Sequence, residues 1–369
     1  MASFSKVLSR TCLVVGVAAC AACSSSSSPT PAPTDAGGPT KSDAEYKTDV
    51  TNGIQSVIAV QLDALYKGVS DLQAAAPAPT GRGWDETQDA AAFTAMKEAW
   101  HRARVAYEHI EGAVAPIFPD IDAAIDARYD DFLSELASVG GDADLFDDKG
   151  VTGMHAVERI IYLKNTPANV VEFEKTLPGY KAAAYPATEA EAASFKNKLC
   201  TKLVADVKIL VDEWKPAKID IATAYAGLVS LMNEQREKVN KASTGEEESR
   251  YAQLTLADIK ANLEGTRAAY DIFKPWILSK QDGAAHDQKI QAGFDALGAA
   301  YAVNAGDAMP LPPKTWSSAN PTPADLDTPF GKLFTSVTSA ADANKSGSVV
   351  FEMNAVADTL AFPRLKTQP

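Results

Sequence analysis

Apolar side chains recur at helical spacing along almost the whole chain. Ile58, Leu62, Leu65, Val69 and Leu72 step by four, three, four and three. Phe93, Met96, Trp100, Ala103, Tyr107, Ile110 and Val114 alternate three and four without a break. Late in the chain Leu256, Ile259, Leu263, Thr266, Tyr270, Phe273 and Ile277 do the same. A period near 3.6 puts each set on one face, so these are amphipathic helices of bundle type. The first opens on a capping box, Ser42 with Glu45. Weaker helical patterns cover 120–138, 152–164, 188–214, 219–240, 284–303, 325–342 and 348–361. Pro- and Gly-rich segments separate them: "APAPTGRG", "VGGDAD", "ASTGEEES" and "MPLPPKTW". Strand-like alternation bounded by hairpin turns is missing. The pattern predicts an all-α protein of about ten helices. That number suits two packed bundles, with the crossover near 186–220.

The two ends of the pattern carry different information. "MASFSKVLSRTCLVVGVAAC" joins a basic start to an apolar run too short to span a bilayer, as secretory signals do. Val17, Ala18, Ala19 and Cys20 resemble a bacterial lipobox, which makes residues 1–19 the signal and Cys20 the acylated first residue; Cys23 is the alternative. Residues 20–41, rich in Ser and Pro, cannot bury a core and read as a flexible tether to the membrane. The folded domain is expected over 42–369. Beyond the tether only Cys200 remains, and a lone thiol in a helical pattern is expected buried and inert. The formal net charge of −13 argues against nucleic acid, whose phosphates would be repelled, and is compatible with cations.

Candidate chemistry sits in two short stretches. In "GMHAVERIIY", His155 and Glu158 are three apart and share a helix face. In "VAYEHIE", Glu108 and Glu111 flank the apolar stripe at the same spacing. A continuous helix over 91–115 would present these two glutamates one turn apart. Carboxylates at the edge of a buried face need partners, and facing helices in bundles use such pairs to hold metals. The alternative is ordinary ion pairing: Glu108 with Arg104, and Glu158 with Arg159 or Lys164. No second histidine follows His155, so this is not the H-E-x-x-H pattern of zinc peptidases. His101 and His109 lie off the stripe or at its margin and are expected at the surface, and His286 is expected solvated. No nucleophile, phosphate loop or dinucleotide fingerprint appears.

These residues carry a family resemblance. "GMHAVERIIY" resembles the G-x-H-x-x-E motif of the imelysin-like family, which includes EfeO-type components of bacterial iron uptake. "ARVAYEHIEGAVAPIFPDIDAAIDAR" is similar to the family stretch with E-x-I-E and then I-D-x-R. "LVSLMNEQREKVNKASTGEEESRYAQLTLADIKANLEG" resembles a later block, and "MNAVADTL" its closing helix. The resemblance implies two four-helix-type bundles related by an approximate twofold, with a metal site in the cleft between them. By position it implies ligands among Glu108, Glu111, Asp126, His155 and Glu158, with Glu234 and Glu248 matching acidic positions of the later block. Asp126 would then come from the acidic first turns of the intervening helix. The chain departs from the family in a longer segment between Asp126 and His155, and in lacking a histidine and an aromatic within "YAQLTLADIKAN". It resembles a short form without a cupredoxin domain.

One imidazole with several carboxylates is a hard, oxygen-rich set suited to iron, manganese, calcium or zinc. The resemblance therefore implies a lipid-anchored envelope protein, facing the periplasm or the cell surface, that captures a metal ion, iron foremost. Its partner would be a membrane iron permease. A metallopeptidase acting on envelope proteins and a helical adhesion or scaffold lipoprotein are the competing readings.

Overall fold

The computed structural model describes residues 41–365. The signal, the tether through Thr40 and both candidate lipidation cysteines lie outside the described residues. Within them every regular element is a helix, and there is no strand.

The first helix, α1 (Asp43–Ala75), begins at the expected box: the Ser42 backbone N–H donates to Glu45 and the Glu45 N–H donates to Ser42 Oγ. It stops where Pro77 has no N–H to continue the ladder. Its stripe from Val50 to Leu72 is buried, and each such side chain contributes roughly 1.5–3 kcal/mol. α1 packs along α2 (Ala90–Glu108) and α9 (Cys200–Trp214). Two short helices, α4 (Pro119–Asp126) and α6 (Gly153–Ile161), fill the space between α2 and α9. A second set comprises α10 (Ile221–Lys241), α11 (Thr255–Leu278), α12 (Gly283–Ala302), α14 (Pro329–Ala340) and α15 (Val349–Thr359). The chain passes from one set to the other through 215–220. Contacts of α1 and α2 with α11, and of α3 (Glu111–Val114) with α10, join the sets over one contiguous hydrophobic core. Remaining short helices are α5 (Tyr129–Leu136), α7 (Ala168–Glu174), α8 (Glu189–Ser194) and α13 (Pro323–Leu326). α8 runs into α9 through a π-turn at Phe195–Leu199. No described helix is long and apolar enough to cross a membrane.

Two expected helices are broken, and both breaks fall beside site residues. The 91–115 pattern divides at His109–Ile110, between Glu108 and Glu111. The reason is tertiary. Gly265 of α11 lies so close that a Cβ there would sit 2.0 Å from the His109 carbonyl oxygen. Asn262, one turn earlier on α11, donates to the freed Glu108 carbonyl at 3.0 Å. The 120–138 pattern divides at Ala127–Arg128, whose extended backbone ends α4. Asp126 is therefore the last residue of a helix rather than a member of its first turns.

Candidate metal centre

α6 is buried on every side, so the HxxE pair is not a surface pair. Its entry explains the leading glycine of the motif. Gly153 has φ +86°, a conformation that side chains resist, and a Cβ there would lie 2.7 Å from the Ile125 carbonyl. That close approach seats the start of α6 on the end of α4 and brings His155 to Asp126. Trp100 Nε1 donates to the Met154 carbonyl at 3.0 Å and fixes the same turn from α2.

His155 is 1% exposed. Its Nδ1 lies 2.7 Å from Glu158 Oε2. The other oxygen of Glu158 accepts the backbone N–H groups of Tyr251 and Ala252 at 3.0 and 2.8 Å. Glu158 thus holds two things at once: the imidazole, and the turn after α10 that carries Glu248. The turn is pinned again by Arg250, whose Nη2 lies 2.9 Å from Asp130, and by Tyr251, which donates to Glu174 at 2.6 Å. Glu174 in turn takes the guanidinium fork of Arg159.

This frame leaves His155 Nε2 buried without a hydrogen-bond partner, 3.4 Å from Asp126 Oδ1. Donor atoms of Asp126, His155 and Glu248 lie within 4.8 Å of one another. Groups bound to one ion at 2.0–2.6 Å stand at most about 5 Å apart, so this trio fits a metal. Burial alone would lower the His155 pKa; the Asp126 and Glu158 carboxylates outweigh it and raise it to about 9. An ion bound at Nε2 would take the place of a proton there.

The other expected ligands are engaged differently. Glu108 is fully buried; it contacts Arg104 and accepts from Asn262 Nδ2. Burial raises its pKa well above the usual range, against the pull of Arg104 and Lys238. Glu111, across the break, is bound by Lys238 Nζ at 3.0 Å and by Asn262 at 2.9 Å. Glu234 accepts from Ser230 at 2.7 Å, and burial raises its pKa. Arg104 also contacts Asp126 and lies 3.6 Å from Glu248 and 3.7 Å from Asp258. Both Asp126 and Glu248 are held below the usual carboxylate range: against burial, mainly by Arg104 at Asp126 and by Lys238 at Glu248.

Three participants were not singled out from the sequence: Arg104 as the central cation, Lys238 and Asn262. Each left a signal. Arg104 stands one turn from Trp100 and one from Glu108, and so in line with the buried stripe. Lys238 follows Leu228, Leu231 and Gln235 at steps of three, four and three. A lysine on an apolar face is rare unless it is paired.

Asp126 and Glu248, but not the buried His155, line a cleft of about 550 Å³ together with Glu111, Asp120, Asp122, Asp131 and Glu135, with Arg128 among the lining groups. Asp122 accepts from the Tyr107 hydroxyl, and burial with the neighbouring Asp126 raises its pKa to about 7. The remaining histidines stay apart from this cleft. His101 and His109 are half-buried, His109 Nδ1 lying 2.6 Å from the Val105 carbonyl. His286 is not freely solvated but paired with Glu352 at 2.8 Å. Cys200 is buried, which pushes its thiol well up and leaves it inert.

Comparison with known proteins places the chain in a family. The imelysin family model matches residues 59–311. The chain belongs to the imelysin family. A relative from Pseudomonas syringae, named iron uptake system component EfeM, is 25% identical over 266 residues, covering 71% of this chain and 69% of its own. A Staphylococcus aureus protein named Efem/EfeO family lipoprotein is 30% identical over 201 residues, 54% of this chain; the chain spans 56% of its length. An imelysin-like protein from Psychrobacter arcticum shares the fold, with a TM-score of 0.56 at 12% identity over 89% of this chain and 99% of its own. Asp126, His155, Glu158 and Glu248 all lie inside the stretch that the imelysin model matches.

Proposed function

We propose that this imelysin-family chain is an envelope lipoprotein that captures a metal ion, iron foremost, and takes part in its uptake. The observation that carries the reading is His155 Nε2: buried, without a hydrogen bond, 3.4 Å from Asp126 Oδ1, and grouped with Asp126 and Glu248, which line an acidic cleft. Asp126, His155 and Glu248 are the ligands. Glu158 positions the imidazole through Nδ1, as second partners of metal-binding histidines do. Acidic side chains along the cleft raise the local concentration of cations. Three protein ligands leave coordination positions for water, which suits a cargo that must be released. The names of the Pseudomonas and Staphylococcus relatives support iron as that cargo and a lipid anchor as the tether. The partner that receives the ion is a membrane permease, and Cys20, with Cys23 as the alternative, carries the lipid.

Metal analysis of the full chain purified without chelators tests the reading, together with melting curves across added Fe²⁺, Mn²⁺, Zn²⁺ and Ca²⁺. A bound ion stabilises the folded state by mass action, so the melting temperature rises with ion concentration. Absence of any bound metal and of any shift would end the proposal. Metal-dependent cleavage of envelope proteins by the same sample would replace uptake with peptidase activity. Release of the chain from membranes when Cys20 and Cys23 are both changed to Ser tests the anchor.

A further inference from the structure

Beside the proposed ligands lies a cation that the metal reading does not use. Lys238, on α10, is 4% exposed. Its ammonium is 3.0 Å from Glu111 Oε2, 3.1 Å from Asn262 Oδ1, 3.6 Å from Glu248 Oε1 and 3.7 Å from Glu108 Oε2. The other Glu248 oxygen is 3.6 Å from Arg104 Nη2. A ligand carboxylate therefore stands between two fixed positive charges and makes a close hydrogen bond to neither.

The two cations differ in kind. Arg104 is a framework group, in contact with Asp126 and Glu108 and beside Asp258. Lys238 is a compact point charge whose nearest partner, Glu111, lines the cleft. We infer that Lys238 sets the charge selectivity of the site, favouring a divalent over a trivalent ion. The inference rests on the metal reading above and adds to it the class of ion taken. With Arg104 set against Asp258 and Lys238 against Glu111, a divalent ion among Asp126, Glu248 and neutral His155 is balanced. A third positive charge would need another anion, and the adjacent Glu111 is already neutralised by Lys238. Repulsion between the ammonium and the arriving ion scales with the charge on the ion and is poorly screened in a buried site. Replacing Lys238 by a neutral side chain removes the repulsion and frees Glu111 together.

The test measures Zn²⁺ and Ga³⁺ affinities of the full chain by competition with a chelator, Ga³⁺ being supplied as its nitrilotriacetate complex. Lys238→Met should gain about tenfold for Zn²⁺ and about thirtyfold for Ga³⁺, because the logarithm of the gain scales with ion charge. Lys238→Arg, which keeps the charge, should hold the wild-type ratio. If Lys238→Met does not fold, Lys238→Gln takes its place, since an amide can still donate to Glu111. A folded neutral variant with the wild-type Zn²⁺ to Ga³⁺ ratio overturns the inference and leaves the metal site standing. Wild type that binds neither ion overturns the metal reading itself.

Discussion

Two histidines in this chain each pair with a buried glutamate, and they are not alike. His155 Nδ1 lies 2.7 Å from Glu158, and His286 Nδ1 lies 2.8 Å from Glu352. Glu158 spends its second oxygen on two backbone N–H groups; Glu352 spends its own on Lys289 at 3.2 Å and the Gly347 N–H at 2.9 Å. Up to that point the two constellations match. The difference is at the other ring nitrogen. His155 Nε2 is sealed from water and faces Asp126 and Glu248, whereas His286, its side chain 23% exposed, stands at the surface beside a lysine. A histidine–glutamate pair orients a ring, and only what the free nitrogen meets makes the ring a ligand.

That contrast can be broken at several points. The largest effect is expected from His155→Ala, which should lower metal affinity by more than about a hundredfold and abolish the metal-dependent rise in melting temperature. His286→Ala should keep both; loss of binding in the second variant would erase the distinction. Next comes Glu158→Gln. Outer partners of metal-binding histidines are worth about 10–100-fold in affinity, and here the change also loosens the turn that carries Glu248. Calorimetric titration should therefore show a weaker site in this variant, while Glu352→Gln should titrate as wild type.

A smaller effect is expected at the seat of α6. Gly153→Ala costs about 1–2 kcal/mol from its left-handed backbone alone, and its new methyl meets the Ile125 carbonyl. Denaturant unfolding should register the loss, and metal affinity should fall as His155 is lifted from Asp126. Stability equal to wild type would show that the glycine is not required there.

The smallest effect belongs to the second pair and to acid. Burial opposes ionisation of Glu352, but His286 and Lys289 outweigh it and lower its pKa below the ordinary glutamate value. The unfolded chain then binds more protons than the native one in that window, so stability rises with pH. The contribution is complete above the ordinary glutamate pKa of about 4.3 and is lost as pH falls through the lowered value. Melting temperatures of metal-free protein should fall less steeply between pH 5 and 3 in Glu352→Gln than in wild type. An identical slope would count against the pair.

Much of this was legible in advance because helical periodicity is a local property. The stripe from Phe93 to Val114 named the buried face of α2 and α3, and Ser42 with Glu45 named the start of α1. The motif stretch picked out His155 and Glu158, and the possible Arg104–Glu108 ion pair is present. The breaks after Glu108 and Asp126 were not legible. Nothing in the local pattern at 91–115 reports that Gly265 and Asn262, some 150 positions later, will press on the His109–Ile110 junction and cap the carbonyl it frees. The short helix α7 escaped notice for a related reason: in "ANVVEFE" too few apolar positions repeat to define a face.

Local chemistry along the chain, then, determines that it is all helix, which faces are apolar, and which histidine shares a turn with a glutamate. It cannot say which carboxylates converge. Asp126, His155 and Glu248 come from the end of α4, the start of α6 and the turn after α10, and their meeting depends on how those three pieces pack. Packing also decides that Glu108 and Glu111 answer Arg104, Lys238 and Asn262, because a buried carboxylate takes whichever cation or donor its neighbours bring within reach. Hydrophobic spacing is written within one helix, whereas a site is an agreement among several.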